Sequence, residues 1–239
     1  MRKRMKQLAA ILLAGLLFCT TALAAPAAAE EQSEPQEDWM LRLVNPWNPL
    51  PADFSVELVP LKNGLKVDAR IYNDLNAMLI DCWAAGLKPV VCSAYRPYST
   101  QMRLYNNKIA RLRAAGWSAE EAPVEAARWV AVPGTSEHQT GLALDLVSMS
   151  YQLLDEKQAE TPEQQWFMAH SWEYGFILRY PEEKQAITGI GYEPWHYRYV
   201  GREVAAAMHQ SGQCLEEYLA EKASKMETPA AEAVGVLFF

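Results

Sequence analysis

Two histidines, two carboxylates and an arginine stand in three short segments whose residue types could build a hydrolytic metal centre. The first segment is Ser136-Glu137-His138-Gln139-Thr140-Gly141-Leu142-Ala143-Leu144-Asp145. Side chains on a strand alternate faces, so Leu142, Leu144 and Leu146 are expected toward a core, with Gly141, Ala143 and Asp145 opposite. The small residues on that second face leave room for a guest against the sheet, and the loop before them can turn His138 toward Asp145. An imidazole and a carboxylate aimed at one space supply two ligands of a tetrahedral zinc site. In Gly191-Tyr192-Glu193-Pro194-Trp195-His196, His196 is the natural third donor. Glu193 and His196 are three apart and would face opposite ways on a straight strand. Pro194 cannot donate to a sheet ladder and biases Glu193 to an extended conformation, so a bend that brings both into one cleft is expected. Glu193 beside a metal-activated water would serve as general base. In the segment from Ser93 to Gln101, Arg96 offers a permanent cation with a donor fork, suited to an oxyanion or a terminal carboxylate.

Each residue also has a plainer reading. His138 fits a loop histidine, His196 a strand histidine, Asp145 a strand-end cap, Arg96 a surface ion pair and Ser136 a turn cap. The metal reading is favoured because the three segments together supply all the parts of one centre. Gln101 and Ser136 are candidate substrate contacts, as is Tyr192 if it faces the cleft. Trp195, Tyr197 and Tyr199 read as wall and core. His170 and His209 lie within helical patterns with no partner motif and read as structural.

The three segments together resemble the VanY-type D-alanyl-D-alanine carboxypeptidases, zinc peptidases of the bacterial cell wall, over roughly residues 44–220. The Ser-x-His-x-x-Gly-x-Ala-x-Asp pattern is met at Ser136, His138, Gly141, Ala143 and Asp145, and Glu-x-x-His at Glu193 and His196. Pro97 departs from the pattern, since relatives often carry Ser after the arginine, and its expected consequence is for substrate fit. The resemblance implies Zn2+ held by His138, Asp145 and His196, with Glu193 as base and Arg96 steadying the oxyanion. It implies a peptidoglycan stem peptide ending in D-Ala-D-Ala as substrate, on the fold shared by hedgehog domains and D,D-peptidases. L,D-carboxypeptidase or D,D-dipeptidase/endopeptidase action on the same peptides is an alternative, and so is a zinc-containing module that binds wall peptides without cutting. Glu193 speaks against a pure binder, which has no use for a base. A serine enzyme acting on this bond would be expected to show Ser-x-x-Lys, and no serine here is followed by Lys at that spacing.

These residues need a scaffold, and the pattern implies α+β: a single domain with a small, mostly antiparallel sheet, helices packed on it and the zinc site in a cleft on the sheet. Ile71, Leu75, Met78, Leu79, Cys82 and Trp83 fall on one helical face that Gly86 closes. Residues 89–92 read as a buried strand. Ser99 starts a helix carrying Met102, Tyr105, Ile109 and Leu112 to about Gly116. Another helix lies within residues 118–129, its start obscured by Pro123. Thr161-Pro162-Glu163-Gln164 has capping-box spacing with Pro at the first helical position, giving a helix to Tyr174 that stops at Gly175. Residues 176–179 and 196–200 read as strands and 202–210 as a helix, without the strict rhythm of a parallel βαβ fold.

The chain of 239 residues is 50% hydrophobic and 21% charged, which excludes wholesale disorder, collagen and coiled coil. Its net charge of −7 argues against a nucleic-acid partner. Arg2, Lys3, Arg4 and Lys6 precede an apolar run over residues 8–18 and then small residues, the pattern of a secretory signal peptide over 1–29. An exported enzyme at the cell envelope is therefore expected, or an anchored one if that segment is retained. Stable membrane insertion is not expected otherwise. Cys19 follows the bulky Phe18, a poor fit to lipoprotein processing. Residues 30–42 read as a flexible linker, 43–220 as the peptidase domain and 221–239 as a loose tail with an apolar end. Cys82 and Cys92 could meet as a staple, leaving Cys214 over, or all three could be buried thiols. A monomer is expected.

Overall fold

A hairpin of β1 (Leu58–Pro60) and β2 (Lys66–Asp68) leads into α1 (Tyr72–Ala84), β3 (Pro89–Ser93), α2 (Tyr98–Ala114) and α3 (Glu121–Ala127). There follow β4 (Ala143–Ser148), α4 (Pro162–His170), β5 (Phe176–Leu178), α5 (Gln185–Thr188), β6 (His196–Tyr199), α6 (Arg202–Ser211) and α7 (Leu215–Val234). The structure is a computed structural model that describes residues 39–234. The expected signal segment, the first part of the expected linker and residues 236–239 lie outside the described residues. The sheet order is β3-β4-β6-β5, with every neighbour antiparallel. This is the α+β architecture expected from the sequence.

The sheet separates apolar packing from chemistry by alternation. Leu144 and Leu146 of β4, Tyr197 and Tyr199 of β6 and Phe176 of β5 join one buried cluster. Leu75, Met78, Leu79 and Cys82 of α1 and Phe167 of α4 cover them from above. On the other face, Asp145 lies directly across from His196, and Ala143 across from Arg198. Direct cross-strand partners share a face, so the register alone puts a carboxylate beside an imidazole. The β3–β4 register shifts between Val91 and Ser93, which brings Ser93 opposite Asp145.

Several details differ from the sequence reading. Gly141 does not open space for a guest: its φ is +75°, and a Cβ there would lie 2.8 Å from the backbone nitrogen of Asp68. Asp68 N–H donates to the Gly141 carbonyl at 3.0 Å, so the glycine permits a close backbone crossing beneath the loop that carries His138. Gly141→Ala is expected to destabilise the fold by about 2 kcal/mol or more from backbone strain and overlap, read as a lowered midpoint in urea unfolding. Ala143 likewise faces the protein's own Arg198 across the strands. Trp83 is 47% exposed; at about 100° per residue it falls at the edge of the face centred near Cys82. Met102 is also exposed, and Gln101 is the buried residue of α2, because this helix leans on α3 and borders the cleft instead of crossing the core.

The Thr161 hydroxyl caps α4 by accepting from Gln164 N–H. Gln164 does not close the reciprocal half of a capping box. Its amide turns inward, donating to the Leu146 carbonyl and accepting from the Tyr197 hydroxyl at 3.0 Å. Residues 39–42, read as the end of a linker, pack instead: Leu41 is buried, and the carbonyls of Met40 and Arg42 each accept from Arg198 at 2.9 Å. Helix α7 runs on beyond Lys222, across the segment read as a loose tail. The three described cysteines are free; Cys82 and Cys214 are buried and Cys92 is exposed, so there is no staple.

Candidate metal centre

His138, Asp145 and His196 converge as the sequence expected, with one donor atom from each lying within 4.8 Å of the others. His138 Nε2 stands 3.3 Å from Asp145 Oδ2, and His196 Nδ1 stands 3.3 Å from Asp145 Oδ1. Tetrahedral zinc with bonds near 2.0–2.1 Å separates its ligands by about 3.4 Å, so these spacings suit that ion. The donor set of two nitrogens and one carboxylate oxygen suits it too. Asp145 Oδ1 is buried without a hydrogen-bond donor, a costly state for a carboxylate oxygen unless a cation meets it. Each histidine is aimed from behind. The Ala94 carbonyl accepts from His138 Nδ1 at 2.8 Å, which leaves Nε2 for the metal. His196 Nε2 faces Glu137 Oε2 at 3.6 Å, and neither atom has another partner among the described residues.

Glu137 carries a role the sequence reading did not assign. Its Oε1 accepts from Arg179 Nε and from Arg198 Nη1, both at 2.8 Å, and all three side chains are fully buried. Arg179 then forks onto Glu216 of α7 at 2.9 and 2.7 Å. Two guanidinium groups and two carboxylates thus balance behind His196. A signal existed: Arg198 alternates with buried tyrosines and Arg179 follows Phe-Ile-Leu, so both cations were due to enter the protein and need a carboxylate there.

The expected bend at Pro194 is present as a turn, with His196 N–H donating to the Glu193 carbonyl at 3.1 Å. Glu193 Oε2 lies 3.5 Å from His196 Nδ1, so the candidate base borders the metal position. Arg96 reaches the same cleft. Its Nη1 donates to Gln101 Oε1 at 2.8 Å and its Nη2 to Ser93 Oγ at 2.9 Å, with Asp145 Oδ2 at 3.5 Å. Gln101 is therefore a brace for Arg96: it is wholly buried, and its amide also donates to the Ala131 carbonyl at 2.6 Å. Ser136 is buried, borders the cleft and makes no side-chain cap hydrogen bond. Tyr192 is not among the cleft-lining residues; Tyr180 and Trp195 are. The cleft holds about 780 Å3, within the roughly 300–1,000 Å3 typical of ligand sites.

Electrostatics follow from this crowding. Burial pushes the Glu193 carboxyl up to about 8, assisted by Asp145 and opposed by His196 and Arg96. Burial alone would lower the His196 imidazole, yet Asp145 and Glu137 hold it up at about 9. Burial and the Arg96 charge lower His138, which keeps it a neutral donor. Burial opposes ionisation of Glu137, but Arg179 and Arg198 hold it far below the usual carboxylate range. Both raised groups bind protons more tightly in the folded metal-free protein than at their ordinary values of 4.5 and 6.5. That protein should therefore lose stability as pH rises from about 5 to 9. Metal binding needs a neutral His196, so apparent zinc affinity should rise about tenfold per pH unit for each proton released. The gain in melting temperature on adding zinc is expected to widen from pH 6 to 8 in paired scans with and without chelator. A constant gain would contradict it.

The family model described as VanY: D-alanyl-D-alanine carboxypeptidase matches residues 64–202. The chain belongs to this family. It is 44% identical over 193 residues to a D-alanyl-D-alanine carboxypeptidase of Enterococcus faecalis, covering 81% of this chain and 70% of that one. A vancomycin-resistance D,D-pentapeptidase VanY variant, solved in complex with Zn(II), superposes with a TM-score of 0.70 at 43% identity. That alignment covers 76% of this chain and 99% of the other. VanYB in complex with D-alanine-D-alanine matches equally well, with a TM-score of 0.70 and 43% identity over 76% of this chain and 98% of that one. Fold, metal chemistry and family agree on a zinc metallopeptidase.

Proposed function

We propose that this VanY-family zinc metallopeptidase is an exported D-alanyl-D-alanine carboxypeptidase, releasing the last D-Ala from peptidoglycan stem peptides. The observation that carries the reading is the meeting of Glu193 with the His138–Asp145–His196 triad in one cleft. His138, Asp145 and His196 would hold zinc, which would supply a Lewis acid able to polarise a carbonyl and to bring the pKa of a water to about 7. Glu193 accepts the proton that water gives up and passes it to the leaving amine. Its desolvated carboxylate is a stronger base than a solvated one. Arg96, held by Gln101 and Ser93, directs its cation at the oxyanion or at the terminal carboxylate of the peptide. Ser136, on the cleft wall, contacts the same peptide end in this reading.

The basic and apolar pattern of residues 1–18 supports export, and no described helix is long and apolar enough to cross a membrane. The working form is a monomer acting at the cell envelope. Mass spectrometry of products tests the activity. Zinc-loaded protein should remove one D-Ala from a pentapeptide stem ending in D-Ala-D-Ala and leave the derived tetrapeptide intact, and chelation should abolish the release. Cleavage of the tetrapeptide alone would make it an L,D-enzyme, and binding without cleavage would make it a receptor for wall peptides.

A further inference from the structure

Helix α2 carries Arg103, Lys108, Arg111 and Arg113 and no acidic residue, in a chain with a net charge of −7. Gln101, Leu104, Lys108 and Arg111 recur at three- and four-residue steps, so they share one helical face. That face lines the cleft that holds the metal triad. Gln101 grips Arg96 at the metal end. With a rise of about 1.5 Å per residue, Lys108 and Arg111 stand about 10 and 15 Å farther along the axis. Four cations elsewhere in the fold are paired with carboxylates, Arg70 with Asp68, Arg128 with Glu125, Lys184 with Glu217 and Arg202 with Asp74, but none of these lines the cleft. Lys108 and Arg111 have no carboxylate partner among the described residues; Lys108 lies 5.6 Å over the Trp129 ring, itself part of the cleft wall. Among the other cleft-lining residues, the Asp155 carboxylate is engaged by the Tyr151 hydroxyl and by Lys157 N–H, and Glu156 is followed by Lys157.

Two unmatched cations along a cleft that continues past the reacting bond call for an anion on the ligand at that distance. An extended peptide advances about 3.3–3.6 Å per residue, so the anion belongs about three or four residues upstream of the released one. We propose that Lys108 and Arg111 form a subsite for a free carboxylate on the upstream part of the stem peptide, making the enzyme select carboxylate-bearing stems over amidated ones. This rests on the carboxypeptidase reading and adds a substrate preference to it. The attraction is partly solvent-screened.

Two synthetic pentapeptides ending in D-Ala-D-Ala, identical except that the upstream carboxylate is free or amidated, test the proposal. N-acetyl-D-Ala-D-Ala, which is too short to reach Lys108, serves as reference. The zinc-loaded enzyme should favour the free acid by about tenfold in kcat/KM, and the preference should shrink as salt is raised. The Lys108→Ala/Arg111→Ala double variant should lose the preference and keep its rate on the short reference, whereas Lys108→Arg/Arg111→Lys should retain it. Equal kcat/KM for the two pentapeptides in the unaltered enzyme, or a preference that survives the double alanine change, overturns the subsite. Failure to release D-Ala from either pentapeptide would instead refute the carboxypeptidase reading. Calorimetric Kd values for the same two peptides would then decide the subsite, with tighter binding of the free acid supporting it and equal binding ending it.

Discussion

Glu193→Gln is expected to retain zinc at wild-type stoichiometry and to lower kcat for D-Ala release by about 10³-fold, within the 10²–10⁴ range of a lost acid–base group. Glutamine keeps the shape of the side chain and cannot take up the proton. The three donors stay in place, because Glu193 contributes none of them and touches His196 only from the side, at 3.5 Å. Stability provides an independent readout. Burial holds the Glu193 carboxyl at about 8 against an ordinary 4.5, so ionising it costs the folded metal-free protein stability as pH rises through that window. The glutamine variant is spared this loss and should melt no lower than wild type at pH 8 without metal. Zinc content by atomic absorption, D-Ala release and thermal scans on one preparation separate the two effects. A variant within tenfold of wild-type kcat would remove Glu193 from proton transfer.

Glu137→Ala is expected to be the most damaging single change to the scaffold. It strips Arg198 of its carboxylate and leaves Arg179 with Glu216 alone, both guanidinium groups being fully buried. Breaking a buried ion pair from one side costs about 3–5 kcal/mol, a large share of the 5–15 kcal/mol that holds a typical domain together. The same carboxylate faces His196 Nε2, and loss of such a backing group costs about 10–100-fold in metal affinity. Urea unfolding reads the first effect, and competition for zinc against a chelator reads the second. Glu137→Gln preserves bulk and an acceptor without the charge and should fall between. Unchanged unfolding together with unchanged zinc affinity would show that the buried cluster does not support the centre.

The convergence of His138, Asp145 and His196, with Glu193 beside them, was legible because spacing and strand alternation constrain these residues locally. Once β4 alternates, Leu144 must point to the core and Asp145 away from it, and Pro194 forces the bend that turns Glu193 toward His196. The cluster behind them was not legible, because its pairs lie 42 and 61 residues apart and a charged residue on a short strand reads first as exposed. Gln101 was recognised as polar and near the site, but its burial under Arg96 depends on the path of residues 130–131 toward its amide. Gly141 fitted the motif for a reason outside the motif, since the backbone that crosses it comes from Asp68, far back in the chain. The packing of residues 39–42 was hidden in the same way: carbonyl oxygens that receive Arg198 leave no mark on side-chain patterns.

The attachments of Arg179 and Arg198 bear on how the gene can be trimmed. One arginine is fastened to Glu216 and the other to the carbonyls of Met40 and Arg42, all outside the matched stretch of residues 64–202. A clone cut to that stretch would encode His138, Asp145, His196 and Glu193, yet leave the two buried cations to share the single carboxylate of Glu137. Reagent and crystal designs should keep both flanks, from Trp39 through at least the first turns of the final helix.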